Sequence, residues 1–359
     1  MGLKKEEQIK LKRMEIDLHR FQDESTKRVC QMKRRIISFQ WNDDNHISQF
    51  KKRLYSAILG GIIGDALGVP VEFKARNLNI TGMTGYGTYN QPPGTWSDDT
   101  SLTLCLMENL IKEKDETELM KKFAAYREGY WTPYGSMFDI GRATDDAIER
   151  FKRGVPIEGC GGASEFDNGN GALMRISPLA FTLWNESDFS KRQAEIERWA
   201  FITHRHPRST LGCIIYIEFL INLFDHSPKE AYKQAVHSCL ENLRGTEYEN
   251  EFSAYKRILN DDIASVKRED IMSDGYVVHS LEAALWCFLN SKRYSDAVLE
   301  AVNLGEDTDT IAFITGTMAG MYDQMESIPE EWITALARKE DILDLSERFT
   351  QFCFEKSKQ

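Results

Sequence analysis

Thr95-Trp96-Ser97-Asp98-Asp99-Thr100 stands immediately before Leu102, Leu106 and Leu110, whose spacing places three leucines on one face of a helix. Ser97 or Asp98 at the N-cap and acids in the first turn suit the unpaired N–H groups and the dipole there. Helix capping is therefore one reading of the stretch. The same composition returns in Gly305-Glu306-Asp307-Thr308-Asp309-Thr310, again ahead of an apolar helix, this one carrying Gly316 and Gly320 at small-xxx-small spacing. Capping accounts for one acid in each place. It does not require paired acids with hydroxyls at both, and two such clusters brought together repel unless a cation lies between them. Oxygen donors without His or Cys favour Mg²⁺, Mn²⁺ or Ca²⁺ over zinc.

Outward from these two stretches the texture is helical. Leu102–Lys112, Glu118–Gly129, Ala194–Thr203, Thr210–Phe224, Ala231–Leu243, Leu281–Leu289, Tyr294–Asn303 and Ile311–Met321 are predicted helices. No sustained period-two alternation appears, so an all-α fold is expected. Upstream, Gly60-Gly61-Ile62-Ile63-Gly64-Asp65-Ala66-Leu67-Gly68-Val69-Pro70-Val71-Glu72-Phe73 reads as a Gly-spaced apolar helix ending near Pro70. It lacks the Lys-Ser or Lys-Thr ending of a phosphate loop and follows no strand. Asp65 reads as a buried, hydrogen-bonded acid, whereas Glu72 opens a long Gly-rich loop where it is freer to act. The loops 76–96 and 154–170 are long enough to suggest function.

The chain has 359 residues, with 45 Lys plus Arg against 56 Asp plus Glu, a net charge of −11. That length supports a sizeable core, and the acidity argues against a nucleic-acid partner. No continuous apolar run reaches the roughly 18 to 20 residues of a membrane span, and no apolar h-region follows the charged start, so no membrane partner and a cytoplasmic location are expected. Seven scattered cysteines without CxxC spacing suggest neither disulfides nor zinc. The first forty residues carry eleven Lys or Arg and six Asp or Glu, about +5, leaving about −16 for the rest. Leu11, Met14, Leu18 and Phe21, then Val29, Met32 and Ile36, form an amphipathic stripe within them. Residues 1–50 are thus expected to be a basic appendage to a catalytic domain at 51–359, either docked on its own body or serving as a partner-binding arm.

Further segments are Phe138-Asp139-Ile140-Gly141, Gly169-Asn170-Gly171-Ala172-Leu173-Met174-Arg175, Thr203-His204, and Gly275-Tyr276-Val277-Val278 ahead of Leu281-Glu282-Ala283-Ala284. With these, residues 55 to 325 resemble the ADP-ribosylglycohydrolases, and in particular their dinitrogenase-reductase-activating and arginine-directed members. The resemblance implies a compact orthogonal helical bundle with a dinuclear Mg²⁺ or Mn²⁺ centre held by Ser97, Asp98, Asp99, Asp307, Asp309 and Thr310. It implies catalytic roles for Glu72, Asp98 and Asp307, and places Asp139 near the target-side ribose. Gly169, Asn170 and Gly171 match the family's diphosphate loop, His204 would bond near the phosphates, and Tyr276 would sit against the adenine. The implied activity is hydrolysis of the bond between ADP-ribose and a protein side chain, with arginine the expected linkage. An ADP-ribosylated protein is the implied substrate. The family's immunity-type members imply a second expectation, that residues 1–50 occlude an ADP-ribosyltransferase toxin.

Three positions depart from the family pattern. Ser97 replaces the usual Thr but keeps a hydroxyl; Glu306 replaces a usual Gly, pointing to solvent or adding charge near the ions; Arg142 replaces an Asn and either alters target recognition or pairs with an acid. Simpler readings stand beside the smaller motifs. Residues 203–208 suit a solvated basic loop, Asn170 between glycines suits a plain turn, and Tyr276 suits a core aromatic.

Overall fold

The computed structural model describes residues 45–260 and 262–357. The amphipathic stripe predicted within residues 1–36 lies outside the described residues. Fourteen α-helices are described: α1 Asn45–Gly68, α2 Asp98–Ile111, α3 Glu116–Tyr126, α4 Arg142–Lys152, α5 Pro178–Leu183, α6 Phe189–Ala200 and α7 Pro207–Leu223, followed by α8 Pro228–Leu243, α9 Lys256–Leu259, α10 Val277–Asn290, α11 Tyr294–Asn303, α12 Thr308–Asp323, α13 Glu330–Ala335 and α14 Lys339–Lys356. Short 3₁₀ turns link them, and the described residues contain no strand, only three isolated β-bridges. The fold is all-α, as the periodicity predicts.

The packing of α1 on α12 positions everything that follows. Gly60, Gly64 and Gly68 of α1 meet Gly316, Ala312 and Asp309 of α12 backbone to backbone. A Cβ on Gly64 would stand 2.0 Å from the Ala312 carbonyl oxygen, and one on Gly316 would stand 2.2 Å from that of Gly60. Only glycine permits this approach. Tyr294 Oη donates to the Gly60 carbonyl at 2.7 Å, and Thr308 Oγ1 donates to that of Gly68 at 2.8 Å. The end of α1 is thereby tied to the start of α12. Ile62, Ile63 and Leu67 face the core and are fully buried, each stabilising the fold by roughly 1.5–3 kcal/mol.

Residues 49–71 are long and apolar enough to cross a membrane by length and composition, although the segment is interrupted by Asp65. In the fold, 94% of its apolar 18-residue window is buried inside the protein, so it serves as a core helix. The six described cysteines are free and buried, behaving as small apolar residues.

Candidate active site

Asp65 is the hinge between core and site. Fully buried in α1, it accepts hydrogen bonds from the Ser97 N–H at 3.0 Å, the Thr100 N–H at 3.1 Å and Thr100 Oγ1 at 2.6 Å. It therefore satisfies the orphan donors at the start of α2. Burial raises its carboxyl to about 6 while these bonds oppose the shift. Ser97 is the N-cap, its Oγ accepting from the Asp99 N–H at 3.3 Å. Trp96, also fully buried, anchors the preceding loop through Nε1 to the Ala337 carbonyl at 2.9 Å. Capping and acid clustering thus coexist in the one stretch: Ser97 caps, and the two acids beyond it turn inward.

A cavity of about 520 Å³ brings the two acid clusters together. Asp98 and Asp99 line it from α2, Asp307, Asp309 and Thr310 from the start of α12, and Glu72 from the loop after α1. Thr310 Oγ1 reaches Asp99 Oδ2 at 3.2 Å, a direct link between the clusters. Carboxylate oxygens of Glu72, Asp307 and Asp309 lie within 4.8 Å of one another, a spacing able to hold a metal ion. Asp99 Oδ1 is buried without a hydrogen-bond partner. An orphaned carboxylate oxygen beside converging hard donors fits a divalent cation.

The electrostatics agree. Burial raises Asp98, Asp99 and Asp309 well above the ordinary carboxylate range and raises Asp139 and Asp307 as well. Glu72 is pushed to about 9, chiefly by burial and then by the charge of Asp139; its bond from Tyr89 Oη, 2.6 Å to Oε2, opposes this. So many buried acids cannot all ionise without positive charge among them.

Most of the other predicted residues line the same cavity. Asp139 lines it beside Gly141, whose N–H donates to Asp98 Oδ2 at 3.1 Å. Gly169, Asn170 and Gly171 form a further wall with His204. Asn170 is no plain turn residue: its Nδ2 donates to Asp307 Oδ2 at 2.6 Å and to Ser280 Oγ at 2.8 Å. His204 is 1% exposed, so the solvated-loop reading does not hold for it. Burial, then the charge of Arg175, lowers its pKa to about 3 and keeps the ring neutral. Ser97 and Tyr276 are not among the residues that line the cavity. Tyr276 is half-buried, bridged to Gly169 through the backbone and packed edge-on to His279 at 4.9 Å.

Both unsettled departures lie on the rim. Glu306 is exposed, with φ 60°, a left-handed conformation suited to the glycine it replaces. Its carbonyl accepts from the Phe73 N–H at 2.7 Å. Arg142 donates to the Phe166 carbonyl at 2.8 Å, with Asp146 only at 4.0 Å. Sequence reading missed Thr144. This residue is fully buried in the first turn of α4, its Oγ1 has no hydrogen-bond partner, and a Cβ on Gly171 would lie 2.9 Å from that oxygen. A lone Thr carries no sequence signal; only the fold aims it at the glycine wall.

Comparison with known proteins gives the same answer throughout. The ADP-ribosylglycohydrolase family profile matches residues 47–358. ADP-ribosylarginine hydrolase Tri1 of Serratia proteamaculans (strain 568) is 32% identical over 81% of this chain and 77% of its own. ADP-ribosyl-[dinitrogen reductase] glycohydrolase of Rhodospirillum rubrum is 27% identical over 80% of this chain and 91% of its own. A solved structure titled ADP-ribosylglycohydrolase-related protein complex superposes with TM-score 0.69 and 30% identity, covering 85% of this chain and 99% of that one. With its acid pairs, glycine wall and helical frame accounted for, the chain belongs to the ADP-ribosylglycohydrolase family.

Proposed function

We propose that this protein removes ADP-ribose from arginine side chains of modified proteins by metal-dependent hydrolysis of the N-glycosidic bond. The observation that carries the proposal is the convergence of two acid–hydroxyl clusters and a glycine wall on one cavity. Ser97, Asp98, Asp99, Asp307, Asp309 and Thr310 would hold two Mg²⁺ or Mn²⁺ ions. When bound, such a pair supplies Lewis-acid fixation of ribose hydroxyls and of the hydrolytic water. In the Gly169-Asn170-Gly171 loop the two glycines would offer backbone N–H groups to the diphosphate, while the Asn170 N–H is held by the Gly275 carbonyl at 3.1 Å. Asp139 stabilises positive charge as the sugar becomes cation-like and stands near the departing guanidine. Glu72 holds or moves the proton at Oε1, since Oε2 is taken by Tyr89. Arginine is favoured by the segments Phe138 to Gly141 and Gly275 to Val278 and by the arginine-directed relatives.

The decisive assay is release of ADP-ribose from an arginine-ADP-ribosylated protein with Mg²⁺ or Mn²⁺ and with EDTA, beside a serine-linked substrate. Release from arginine alone, abolished by EDTA and by Asp307→Ala or Asp309→Ala, is the expected result. Metal-independent release, or full activity in both variants, would sink the mechanism.

The charge contrast, about +5 in the first forty residues against about −16 in the rest, supports a second role. Residues 1–50 would serve as an arm that occludes an ADP-ribosyltransferase toxin. Deleting residues 1–44, which leaves α1 whole, should abolish toxin binding while hydrolysis persists; equal toxin binding by the truncated protein would exclude the arm.

A further inference from the structure

Arg175 is fully buried, yet its Nε and Nη1 have no hydrogen-bond partners. Its guanidinium lies 4.9 Å from the centroid of the Phe123 ring, and Nη2 donates to the Trp199 carbonyl at 3.1 Å and to Thr203 Oγ1 at 2.7 Å. A buried, incompletely paired cation is costly, and none of the proposed chemistry touches it. Its consequence lies one bond further on. Thr203 Oγ1 is 2.9 Å from His204 Nδ1.

Arginine only donates, so Thr203 spends a lone pair on Nη2. Two arrangements then remain. If His204 donates from Nδ1, the threonine hydrogen is left without an acceptor in a fully buried residue. If Thr203 donates to a bare Nδ1, both the buried threonine hydroxyl and Nδ1 are satisfied, as buried polar groups almost always are. The histidine proton then resides on Nε2. That nitrogen faces the glycine wall: a Cβ on Gly171 would lie 3.3 Å from it and one on Gly169 3.9 Å, and no described residue accepts from it.

We propose that Arg175 and Thr203 form a relay that sets the tautomer of His204, presenting a neutral Nε2–H donor to the anionic oxygens of the diphosphate. The ligand half of this proposal rests on the ADP-ribose reading above; the tautomer half does not. Arg175 and Thr203 are positioning residues. Without them the ring is free to turn a bare nitrogen lone pair toward a phosphate oxygen, which repels instead of binding.

The test is nitrogen NMR of the full chain labelled with ¹⁵N-histidine, the His204 signal being the one lost in His204→Gln. Wild type near pH 7 should show Nε2 protonated and Nδ1 bare, and a wild-type spectrum with Nδ1 protonated would overturn the relay without any variant. Thr203→Val should lose the single tautomer and weaken ADP-ribose binding, read by calorimetry, about tenfold, equivalent to ~1.4 kcal/mol. Thr203→Ser, which keeps the hydroxyl, should restore both signals. A Thr203→Val protein that retains the Nε2–H signal and full affinity also refutes the relay. Wild type with the expected tautomer but no affinity for ADP-ribose refutes the ligand half and the functional reading together, while the tautomer assignment stands.

Discussion

Thr144 and Asp65 show how differently two buried polar residues are used. Both Asp65 oxygens accept from the N-terminus of α2; Thr144 Oγ1 has no partner and faces the Gly171 edge of the cavity. Leaving a buried hydroxyl unpaired costs about 1–3 kcal/mol, a cost a ligand oxygen would recover. Thr144→Val should therefore weaken ADP-ribose binding roughly five- to tenfold, about 1 kcal/mol, without lowering the melting temperature of the ligand-free protein. A large stability loss with unchanged affinity would assign Thr144 to the fold instead. Asp65→Asn should do the reverse: it keeps one acceptor but removes the charge held by three donors, so stability and metal affinity should fall together, as thermal melts with and without Mg²⁺ would show. The aspartate's buried role was legible from its place inside an apolar helix. Thr144's was not, since its meaning depends on Gly171 and His204, which reach it only through the tertiary fold.

At the scale of elements, the glycine seam between α1 and α12 sets the distance between the Glu72 loop and the Asp307 cluster. Gly64→Ala pushes a methyl into the Ala312 carbonyl, and the helices must separate to admit it. Overpacking of this kind costs typically 1–3 kcal/mol, and the shift is delivered directly to the metal-side acids. The variant is expected to lose several degrees of melting temperature and most of its metal affinity. Gly141→Ala is the control: nothing lies within 4 Å of its Cβ, and its φ of −64° suits any residue. Equal damage from both substitutions would refute the seam's role. The eight predicted helices are all present, most extended at their N-termini by capping turns. Five described helices, α4, α5, α9, α13 and α14, escaped the sequence reading, and two of them did so for different reasons. The buried face of α4 is built from Ala143, Thr144, Ala147 and Ile148, too small to mark an apolar stripe. By contrast, α14 carries Ile342, Leu345, Phe349 and Cys353 at plain helical spacing, a pattern the sequence reading passed over.

For the whole molecule, the buried acids link stability to pH and to metal. Glu72 rises from its ordinary value to about 9 in the metal-free fold, so the folded state binds more protons than the unfolded chain across that window. The contribution of Glu72 to the stability of the EDTA-treated protein should then be fully present below about pH 4.3, the ordinary glutamate value, and be lost as pH rises toward 9. Divalent cations replace those protons, so Mg²⁺ or Mn²⁺ should raise the melting temperature more at pH 8 than at pH 5. A metal-induced shift that is equal at both values would contradict the linkage.

Helical periodicity, the Ser97 cap of α2 and the paired acids were readable directly, because they are local: a residue's neighbours at three, four and seven positions decide whether it faces a core. The family motifs likewise carried the identity of most cavity residues. Tertiary structure alone decided which of Asp99's oxygens is left without a partner, that Asn170 bonds Asp307, that Arg142 bridges to Phe166 and that Arg175 acts on His204 through Thr203. Each of those facts is a distance between groups far apart in the chain or a donor left over once others are paired, and neither exists until the backbones of α1 and α12 have closed on one another.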